Sequence, residues 1–381
     1  MADNNENKVL NVPHLRFPEF SGEWNKYTIN DLATVVGGGT PDTTVKSYWG
    51  GDIQWFTPSE IGKNKYVDFS KRTITRDGLD NSSAKLLPLH TILLSSRATV
   101  GECSIASNEC TTNQGFQSLI AKQCNIDFLY YLIQTKKKDL IRNACGSTFL
   151  EISANEIRKI KVAVPVQNEQ EQIAKLLSLI DERIATQNKI IEDLKKLKSA
   201  ITDLLFHSIA DAHTIRLGKI AHITNGAGDV QDANTEHQED WYPFFDRSEE
   251  LKWFPTYSFD KEAVIYAGEG QSFYPRYYNG KFALHQRCYA ITDFASCIIP
   301  KYCYHFMNTL NSYFVRNSVG STVPSLRMDI FQKVEIRLPP IPKQQHICKI
   351  IDAFYTKLEV EQRGISILQE LKQFLLSQMF I

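Results

Sequence analysis

Two stretches of the chain share one pattern of apolar and polar positions. In each stretch, apolar residues recur in alternating steps of four and three, which is typical of a coiled-coil seam. Polar residues interrupt both seams at matching places, Gln187 with Glu361 and Lys198 with Lys372. The pattern predicts two helices of roughly 38 residues, each about 57 Å long. The apolar seam positions are Ile173, Leu177, Ile180, Ile184, Ile191 and Leu194 in the first stretch and Ile347, Ile351, Phe354, Leu358, Ile365 and Leu368 in the second.

These stretches belong to a longer internal repeat, in which residues match others 174 positions later. Gly146-Ser147-Thr148 returns as Gly320-Ser321-Thr322, and roughly sixty residues then stay in ungapped register to the end of the chain. Such a match predicts a duplicated unit, a pseudo-two-fold object built from one chain. Other matched pairs are Lys159 with Lys333, Pro165 with Pro339, and Gln170 with Gln344.

The repeat also predicts how the two helices pair. Because each helix follows its own domain, we expect antiparallel pairing, with the domains at opposite ends. The alternative is that each helix packs only on its own domain, as amphipathic helices often do. Asn168 and Glu171 have the spacing of a capping box at the start of the first helix. The predicted segments are a first domain at 1–168, a helix at 169–207, a second domain at 208–342 and a helix at 343–381.

Strand patterns precede both helices. Residues 53–57 and 91–95 in the first domain, and 263–267 and 288–291 in the second, have the composition of strands. We therefore predict an α+β chain, in which two mixed α/β domains with strand-rich cores are joined by two long helices that form an antiparallel coiled coil. Between their matching ends the two domains share little sequence. That divergence is expected if each domain recognises something different.

Composition and charge add few constraints. The chain has 381 residues, 43% hydrophobic and 23% charged, and its net charge of zero does not by itself favour a nucleic-acid protein. Charge is uneven locally, because residues 229–250 carry eight acids and one arginine, whereas residues 273–316 carry five Lys or Arg and one acid. A basic face could therefore still dock on phosphates. Without a membrane-spanning apolar run or a signal peptide pattern, we expect a cytoplasmic protein.

Recognisable catalytic chemistry is missing from the sequence. No GxxxxGKS/T loop, HExxH or GxSxG motif occurs, and no Asn-Pro-Pro-aromatic run that would transfer a methyl group from S-adenosylmethionine. The eight cysteines form no CxxC pair, so we expect buried or idle thiols in a reducing compartment rather than a zinc site. The sequence therefore predicts no catalytic residue and no metal ligand. It favours a frame that carries recognition surfaces.

Seven short motifs are spread over the whole chain. They are Pro13 to Phe20 with Trp24, Gly38 to Pro41, Thr112 to Phe116, Gly146 to Phe149, Pro165 to Ile173, Tyr278 to Leu284 and Gly320 to Met328. Taken jointly, they resemble the specificity subunit of type I restriction–modification systems. One departure is that the second domain opens with Asn225-Gly226-Ala227-Gly228 and lacks the Gly-Thr-Pro of the first. The two DNA-facing turns therefore need not work alike.

The resemblance implies a function for each part of the chain. Each domain would be a target-recognition domain that reads one half of a split DNA sequence through the major groove, and the helices would be spacers that set the gap. The implied partners are double-stranded DNA, two methyltransferase subunits and, in the full complex, restriction or translocase subunits. Those partners would bind S-adenosylmethionine, ATP and magnesium, and this chain would hold no cofactor and perform no catalysis. Two alternatives stay open: a single-chain DNA methyltransferase or nuclease, and a coiled-coil adaptor without a DNA role.

Candidate DNA contacts follow from the chemistry of readout. Side chains with paired donors and acceptors read base edges, whereas cations, hydroxyls and backbone amides hold phosphates. For each candidate, a solvated charge or a core aromatic is an equally good interpretation. The Gly-Ser-Thr repeats stay ambiguous between tight turns and phosphate-contacting loops. The candidates are Thr40, Ser59, Lys85, Ser95, Arg97, Thr99, Asn113 and Gln114 in the first domain and Tyr274, Arg276, Tyr277, Lys281, Gln286 and Arg287 in the second.

The predicted helices generate a prediction of spacing. Two recognition domains on one face of straight B-DNA should read half-sites about one helical turn, roughly 34 Å, apart. Inserting four residues into one helix should then lengthen the tolerated gap and leave both half-sites unchanged. A methylation map with altered half-sites and an unchanged gap would contradict this ruler.

Overall fold

The chain folds into two compact units. A computed structural model describes residues 11–146, 149–207, 211–320 and 322–381. One unit consists of Met1–Asn188 with Arg363–Ile381, and the other of Lys189–Gln362. Each unit therefore contains one mixed α/β module, half of one long helix and half of the other. This division differs from the four segments of the sequence because each long helix contributes to both units.

The first module contains ten strands and five short helices among its described residues. The strands are β1 (Asn25–Thr28), β2 (Ala33–Gly37), β3 (Trp49–Phe56), β4 (Tyr66–Val67), β5 (Arg72–Ile74), β6 (Ile92–Leu94), β7 (Cys103–Ala106), β8 (Cys110–Thr112), β9 (Gln117–Ala121) and β10 (Lys161–Val164). The helices are α1 (Ile29–Leu32), α2 (Arg76–Asp80), α3 (Ile126–Thr135), α4 (Lys137–Arg142) and α5 (Ala154–Lys159). A five-stranded sheet has the order β2-β9-β6-β7-β4, a three-stranded sheet the order β5-β3-β8, and β1 pairs with β10. Two strands predicted from the sequence are present as β3 and β6.

The second module, from the first long helix α6 (Gln167–His207) to the second, α10 (Ile341–Met379), is organised around a larger sheet. Its strands are β11 (His213–Arg216), β12 (His222–Asn225), β13 (Tyr242–Phe245), β14 (Lys252–Phe254), β15 (Phe259–Ala267), β16 (Arg276–Leu284), β17 (Cys288–Thr292) and β18 (Glu335–Leu338). Its helices are α7 (Pro300–Met307), α8 (Asn311–Asn317) and α9 (Met328–Lys333). The six-stranded sheet has the order β12-β17-β15-β16-β13-β14, and β11 pairs with β18. Strands β15 and β17 cover the other two predicted strands.

Each module is closed by the same two-stranded neck. Strand β1 pairs antiparallel with β10, so that Thr28 lies opposite Lys161. Strand β11 pairs in the same way with β18, so that Arg216 lies opposite Glu335. In both units the second neck strand leads almost directly into a long helix. The chain thus enters and leaves each module at one place, next to the helix.

A buried glutamine fixes the start of each long helix to its module. The Gln170 amide donates to the Pro165 carbonyl at 2.9 Å, and its oxygen accepts from the N-cap residue of α3 at 3.0 Å. Gln344 makes the same two bonds, to the Pro339 carbonyl and to the N-cap residue of α7, each at 2.9 Å. A buried amide left unpaired would be costly. These bonds explain why the repeat matches Pro165 with Pro339 and Gln170 with Gln344.

The long helices pair antiparallel within each unit, as the sequence predicted. In the first unit Lys372, near the end of α10, forms an ion pair of 2.7 Å with Asp181 of α6 and lies 5.5 Å from the ring centre of Tyr131. In the second unit Lys198, near the end of α6, lies 4.1 Å from the ring centre of Tyr355 on α10. These lysines are the polar seam residues that the repeat matches, and all twelve predicted apolar seam residues are buried or half-buried. Throughout the described residues, no helix is long and apolar enough to cross a membrane.

The end of each long helix completes the core of the module that belongs to the other repeat. Phe380, which follows α10, stacks on Phe128 of the first module with ring centres 5.2 Å apart. Its repeat partner Phe206, near the end of α6, packs on Tyr302 of the second module with ring centres 5.5 Å apart. The beginning of each helix packs on its own module, since Ile173 belongs to the same core cluster as Phe128. Each long helix thus packs on its own module along its first half and on the other module along its second half. The alternative that each helix packs only on its own domain is therefore correct for half of each helix.

The predicted capping box at Asn168 is wrong. Helix α6 begins at Gln167, so Asn168 lies inside its first turn, and the backbone N–H of Glu169 donates to the Val166 carbonyl at 3.0 Å. The helix starts earlier because the neck strand passes almost directly into it. The fully buried Glu169 carboxylate instead accepts two hydrogen bonds of 2.7 Å from the Arg16 guanidinium. A carboxylate in the first turn of a helix is also favoured by the helix dipole.

Candidate functional site

Several loops of the first module meet at one edge, where backbone hydrogen bonds join them. The N–H of Asn113, just after β8, donates to the last residue of β3 at 3.0 Å. The N–H of Ser96 donates to the Gly115 carbonyl at 2.9 Å, and the N–H of Gly39 donates to the last residue of β8 at 2.8 Å. Three loops that are distant in sequence are therefore fixed to one another through backbone atoms.

The second module repeats this arrangement. The N–H of His285, just after β16, donates to the last residue of β13 at 3.0 Å. The N–H of Gly268 donates to the Arg287 carbonyl at 2.9 Å, and the N–H of Ala227 donates to the last residue of β16 at 3.1 Å. Residues 113–115 and 285–287 are thus equivalent turns, and Gln114 and Gln286 occupy their central positions.

A hairpin completes the edge in each unit. The N–H of Ala98 donates to hairpin 145–151 at 3.1 Å, and the N–H of Gly270 donates to hairpin 319–325 at 3.1 Å. The Gly-Ser-Thr repeats lie in the same two stretches of sequence, but residues 147, 148 and 321 lie outside the described residues. We call the four assembled segments the loop edge of each unit. The described residues of these segments are 38–40, 95–99, 113–115, 145–146 and 149–151 in the first unit and 226–228, 268–270, 285–287, 319–320 and 322–325 in the second.

The two loop edges are equivalent although the sequences around them hardly match. Each rests on a parallel strand pair: β3 with β8, which aligns Phe56 with Thr112, and β13 with β16, which aligns Phe245 with Leu284. The sequence repeat missed this equivalence because insertions of different length change the offset between matching residues. The shared bonds are made by backbone atoms, which require no particular side chain.

The structure brings most first-domain candidates to the loop edge. Arg97, Thr99 and Gln114 are exposed there, and the Thr40 hydroxyl donates to the Gln114 side chain. Asn113 is half-buried, and its side-chain oxygen accepts from the Gly115 N–H at 2.9 Å.

Three further candidates lie beside the edge or beneath it. Ser59 is exposed in the turn that follows β3, and Lys85 is exposed one residue after Ala84, whose backbone closely approaches Gly39. Ser95 is fully buried, and its hydroxyl bonds to the Thr99 hydroxyl at 2.9 Å. Ser95 therefore supports the loop from below, and it presents no exposed side chain for DNA.

The second-domain candidates divide into two groups. Gln286 and Arg287 are exposed on the loop edge, and Tyr274 is exposed in the connection between β15 and β16. Arg276, at the start of β16, donates to the backbone carbonyl of Ser248.

Tyr277 and Lys281 contact side chains outside the loop-edge segments. The Tyr277 hydroxyl donates to Glu262, and its ring centre lies 5.7 Å from that of Tyr304 on α7. The Lys281 ammonium lies 4.7 Å from the ring centre of Tyr257.

An arginine held by a glutamate stands at each loop edge. The Arg97 Nε lies 3.6 Å from an oxygen of Glu151, and the Arg287 Nη1 lies 2.8 and 3.1 Å from the two oxygens of Glu269. Ser96 and Gly268 make equivalent backbone bonds, so Arg97 corresponds to Glu269, the next residue in each segment. The two arginines therefore come from different segments. The sequence indicated the arginines but not their acidic partners, which become neighbours only through the fold.

Burial keeps two of the cysteine thiols protonated at neutral pH. Burial raises the pKa of the Cys103 thiol to about 12 and that of Cys288 to about 11, and both side chains are buried. Within residues 11–146, 149–207, 211–320 and 322–381, no group of His, Cys, Asp or Glu side chains is arranged to hold a metal ion.

A cavity of about 1220 Å³ in the first unit is lined by β4, α3, α6 and α10. Three of the lysines that line it are paired with carboxylates: Lys65 with Asp127 at 2.6 Å, Lys137 with Glu102, and Lys372 with Asp181 at 2.7 Å. Lys65 also donates to the Ser178 hydroxyl at 2.6 Å, which joins the module to α6.

Comparison with known proteins agrees with the duplicated architecture. The family model described as the type I restriction modification DNA specificity domain matches the chain twice, over residues 21–196 and 210–373. The chain therefore belongs to this family, and it is a specificity subunit with two target-recognition domains.

Individual relatives fit the same assignment. The chain is 28% identical over 410 residues to the type I restriction enzyme MjaIX specificity subunit of Methanocaldococcus jannaschii, which covers 94% of this chain and 92% of that protein. It is 28% identical over 190 residues to the EcoR124I/EcoR124II specificity subunit of Escherichia coli, covering 48% of this chain and 46% of that protein.

Solved structures show the same fold. The S subunit of a type I restriction–modification system from M. genitalium has a TM-score of 0.63 at 18% identity, covering 97% of this chain and 99% of that one. A chain from a study of complex assembly and conformational transition in the type I R-M system has a TM-score of 0.61 at 14% identity, covering 96% and 99%. At these identities the likeness concerns the fold alone.

The close backbone approach at the loop edge predicts which glycine cannot change. A Cβ atom at Gly226 would lie 2.1 Å from the Leu284 carbonyl oxygen, whereas at Gly364, inside α10, it would meet no atom within 4 Å. We expect Gly226→Ala to destabilise the protein by about 3 kcal/mol or more through overpacking. Gly364→Ala should stabilise it by about 1 kcal/mol because alanine favours a helix. Thermal unfolding of both variants checks this, and a Gly226→Ala protein as stable as the wild type would refute the rigid edge.

Proposed function

We propose that this subunit reads a two-part DNA target, one half-site with each loop edge. The observation that carries the proposal is the pair of loop edges, which share one backbone frame and differ in their exposed side chains. A common frame would present loops to DNA in the same way in both units, and different side chains would read different bases. The candidate contacts named above remain predictions, and those on the loop edges fit the proposal best.

We also propose that the long helices hold two methyltransferase subunits. Ile367, Leu371 and Phe374 are exposed on one face of α10 in the first unit, Ile367 by 64%. The second unit exposes Ile190, Leu197 and Leu204 on α6 at heptad spacing. Apolar stripes of this kind support docking of protein partners, and the repeat matches Leu197 with Leu371. One stripe in each unit would suit two copies of one partner.

In this proposal the chain is the non-catalytic part of a larger enzyme. The methyltransferase subunits would bring S-adenosylmethionine, and restriction subunits would add ATP- and magnesium-dependent cleavage to the full complex. The absence of catalytic sequence motifs supports this division of labour. Each recognition domain would then deliver its half-site to a neighbouring methyltransferase.

Methylation mapping tests the proposed function directly. The chain is co-expressed with its methyltransferase in cells without other DNA methylation, and methylated positions are mapped on single DNA molecules. We expect one sequence motif made of two half-sites separated by an unspecified gap. Random methylation, or a single continuous motif, would contradict the proposal. Methylation by the purified chain alone with S-adenosylmethionine and Mg²⁺ would favour the single-chain enzyme.

A charge placed on the exposed stripe should remove one partner. Leu371→Glu should weaken methyltransferase binding to the first unit about tenfold or more, because an unpaired carboxylate would be buried in an apolar interface. Gln373→Glu adds the same charge to the same helix, away from the stripe, and should leave binding unchanged. Native mass spectrometry should find one methyltransferase on the first variant and two on the second. Two on both, with unchanged melting, would exclude the stripe as the docking surface.

A further inference from the structure

Features that are common to both loop edges should contact the part of the DNA that is common to both half-sites. If the recognition domains read different sequences, as proposed above, their base contacts must differ. Every duplex nevertheless presents the same phosphodiester backbone, and contacts to it fix position without reading sequence. Features common to both loop edges are therefore candidates for backbone contact, and features found on only one are candidates for base readout.

The central glutamine is one common feature. Gln114 and Gln286 occupy equivalent positions in turns whose flanking residues are fixed by matching backbone bonds, such as Asn113 to β3 and His285 to β13, each at 3.0 Å. Both glutamines are exposed. A glutamine amide is a hydrogen-bond donor that can reach a phosphate oxygen.

The arginine beside that turn is the second common feature. Arg97 follows Ser96, whose N–H bonds to the Gly115 carbonyl, and Arg287 itself supplies the carbonyl of the equivalent bond. In each unit, one arginine lies at, or one residue away from, the equivalent backbone hydrogen bond. The two arginines nevertheless belong to different segments of the loop edge. Arg287 is 65% exposed at its side chain and engages Glu269 through Nη1 alone, whereas a guanidinium has five N–H donors.

We propose that Gln114 with Arg97, and Gln286 with Arg287, hold phosphodiester oxygens of duplex DNA and set the register of each recognition domain. The residues that differ between the loop edges read the bases. The glutamate beside each arginine offsets the guanidinium charge in the free protein. This inference rests on the proposed function, because it assumes that the loop edges face DNA.

Variants of one ion pair test the inference. The complex with methyltransferase is titrated with two duplexes, one carrying the mapped target and one with the second half-site scrambled. Arg287→Gln should weaken binding to both duplexes by the same factor, roughly three- to tenfold. It should also lower the slope of log affinity against log salt concentration by about 0.9 in magnitude. Glu269→Gln removes the competing carboxylate and should leave affinity unchanged or raise it. Lys261→Gln, which breaks the exposed 2.8 Å ion pair with Asp293, is the matched control. It should change neither the affinity nor its dependence on salt.

Two results would overturn the inference. Arg287→Gln could weaken only the target duplex or change a base of the mapped second half-site, which would make Arg287 a base reader. Glu269→Gln could weaken binding as much as Arg287→Gln, which would make the pair a structural support. Failure of the proposed function looks different, because the wild-type complex would then show no preference for the mapped target.

Discussion

The antiparallel pairing of the two long helices is the constraint on which the rest of the structure depends. Phe380 completes the core of the first module, and Phe206 completes that of the second. The pairing also places Lys372 against Asp181 and Lys198 over Tyr355, so the polar seam residues have partners in both units. Neither repeat can bury its own apolar surface without the end of the other helix. The equivalence of the two units is therefore built into the packing of their cores.

Sequence patterns predicted the parts of the fold that local periodicity determines. The two seams, the repeat and four strands could be found because burial on one face of a helix or strand leaves a regular pattern. The helix start was wrong because the backbone of Val166, continuing from the neck strand, takes the place of an Asn168 cap. The repeat identified Gln170 and Gln344, but only the structure shows that both lock a long helix to its module.

The candidate site could be predicted only in part. Arg97, Gln114, Gln286 and Arg287 were indicated by their chemistry, and the fold gathers them at equivalent edges. Their equivalence was invisible in the sequence because backbone bonds form the common frame, and backbone bonds leave no side-chain signature. Tyr277 lies elsewhere because its ring packs on α7. A chain with no net charge can still carry exposed arginines at both loop edges.

Cross-linking between the long helices tests the central claim most directly. In a chain whose exposed Cys145 and Cys297 are changed to serine, cysteines replace Asp181 with either Lys372 or Tyr355. The ion pair between Asp181 and Lys372 predicts that a short bifunctional thiol reagent joins positions 181 and 372 and does not join 181 and 355. Positions 181 and 355 match in the repeat and would face each other in a parallel pair. A cross-link between them, with none between 181 and 372, would contradict the antiparallel account.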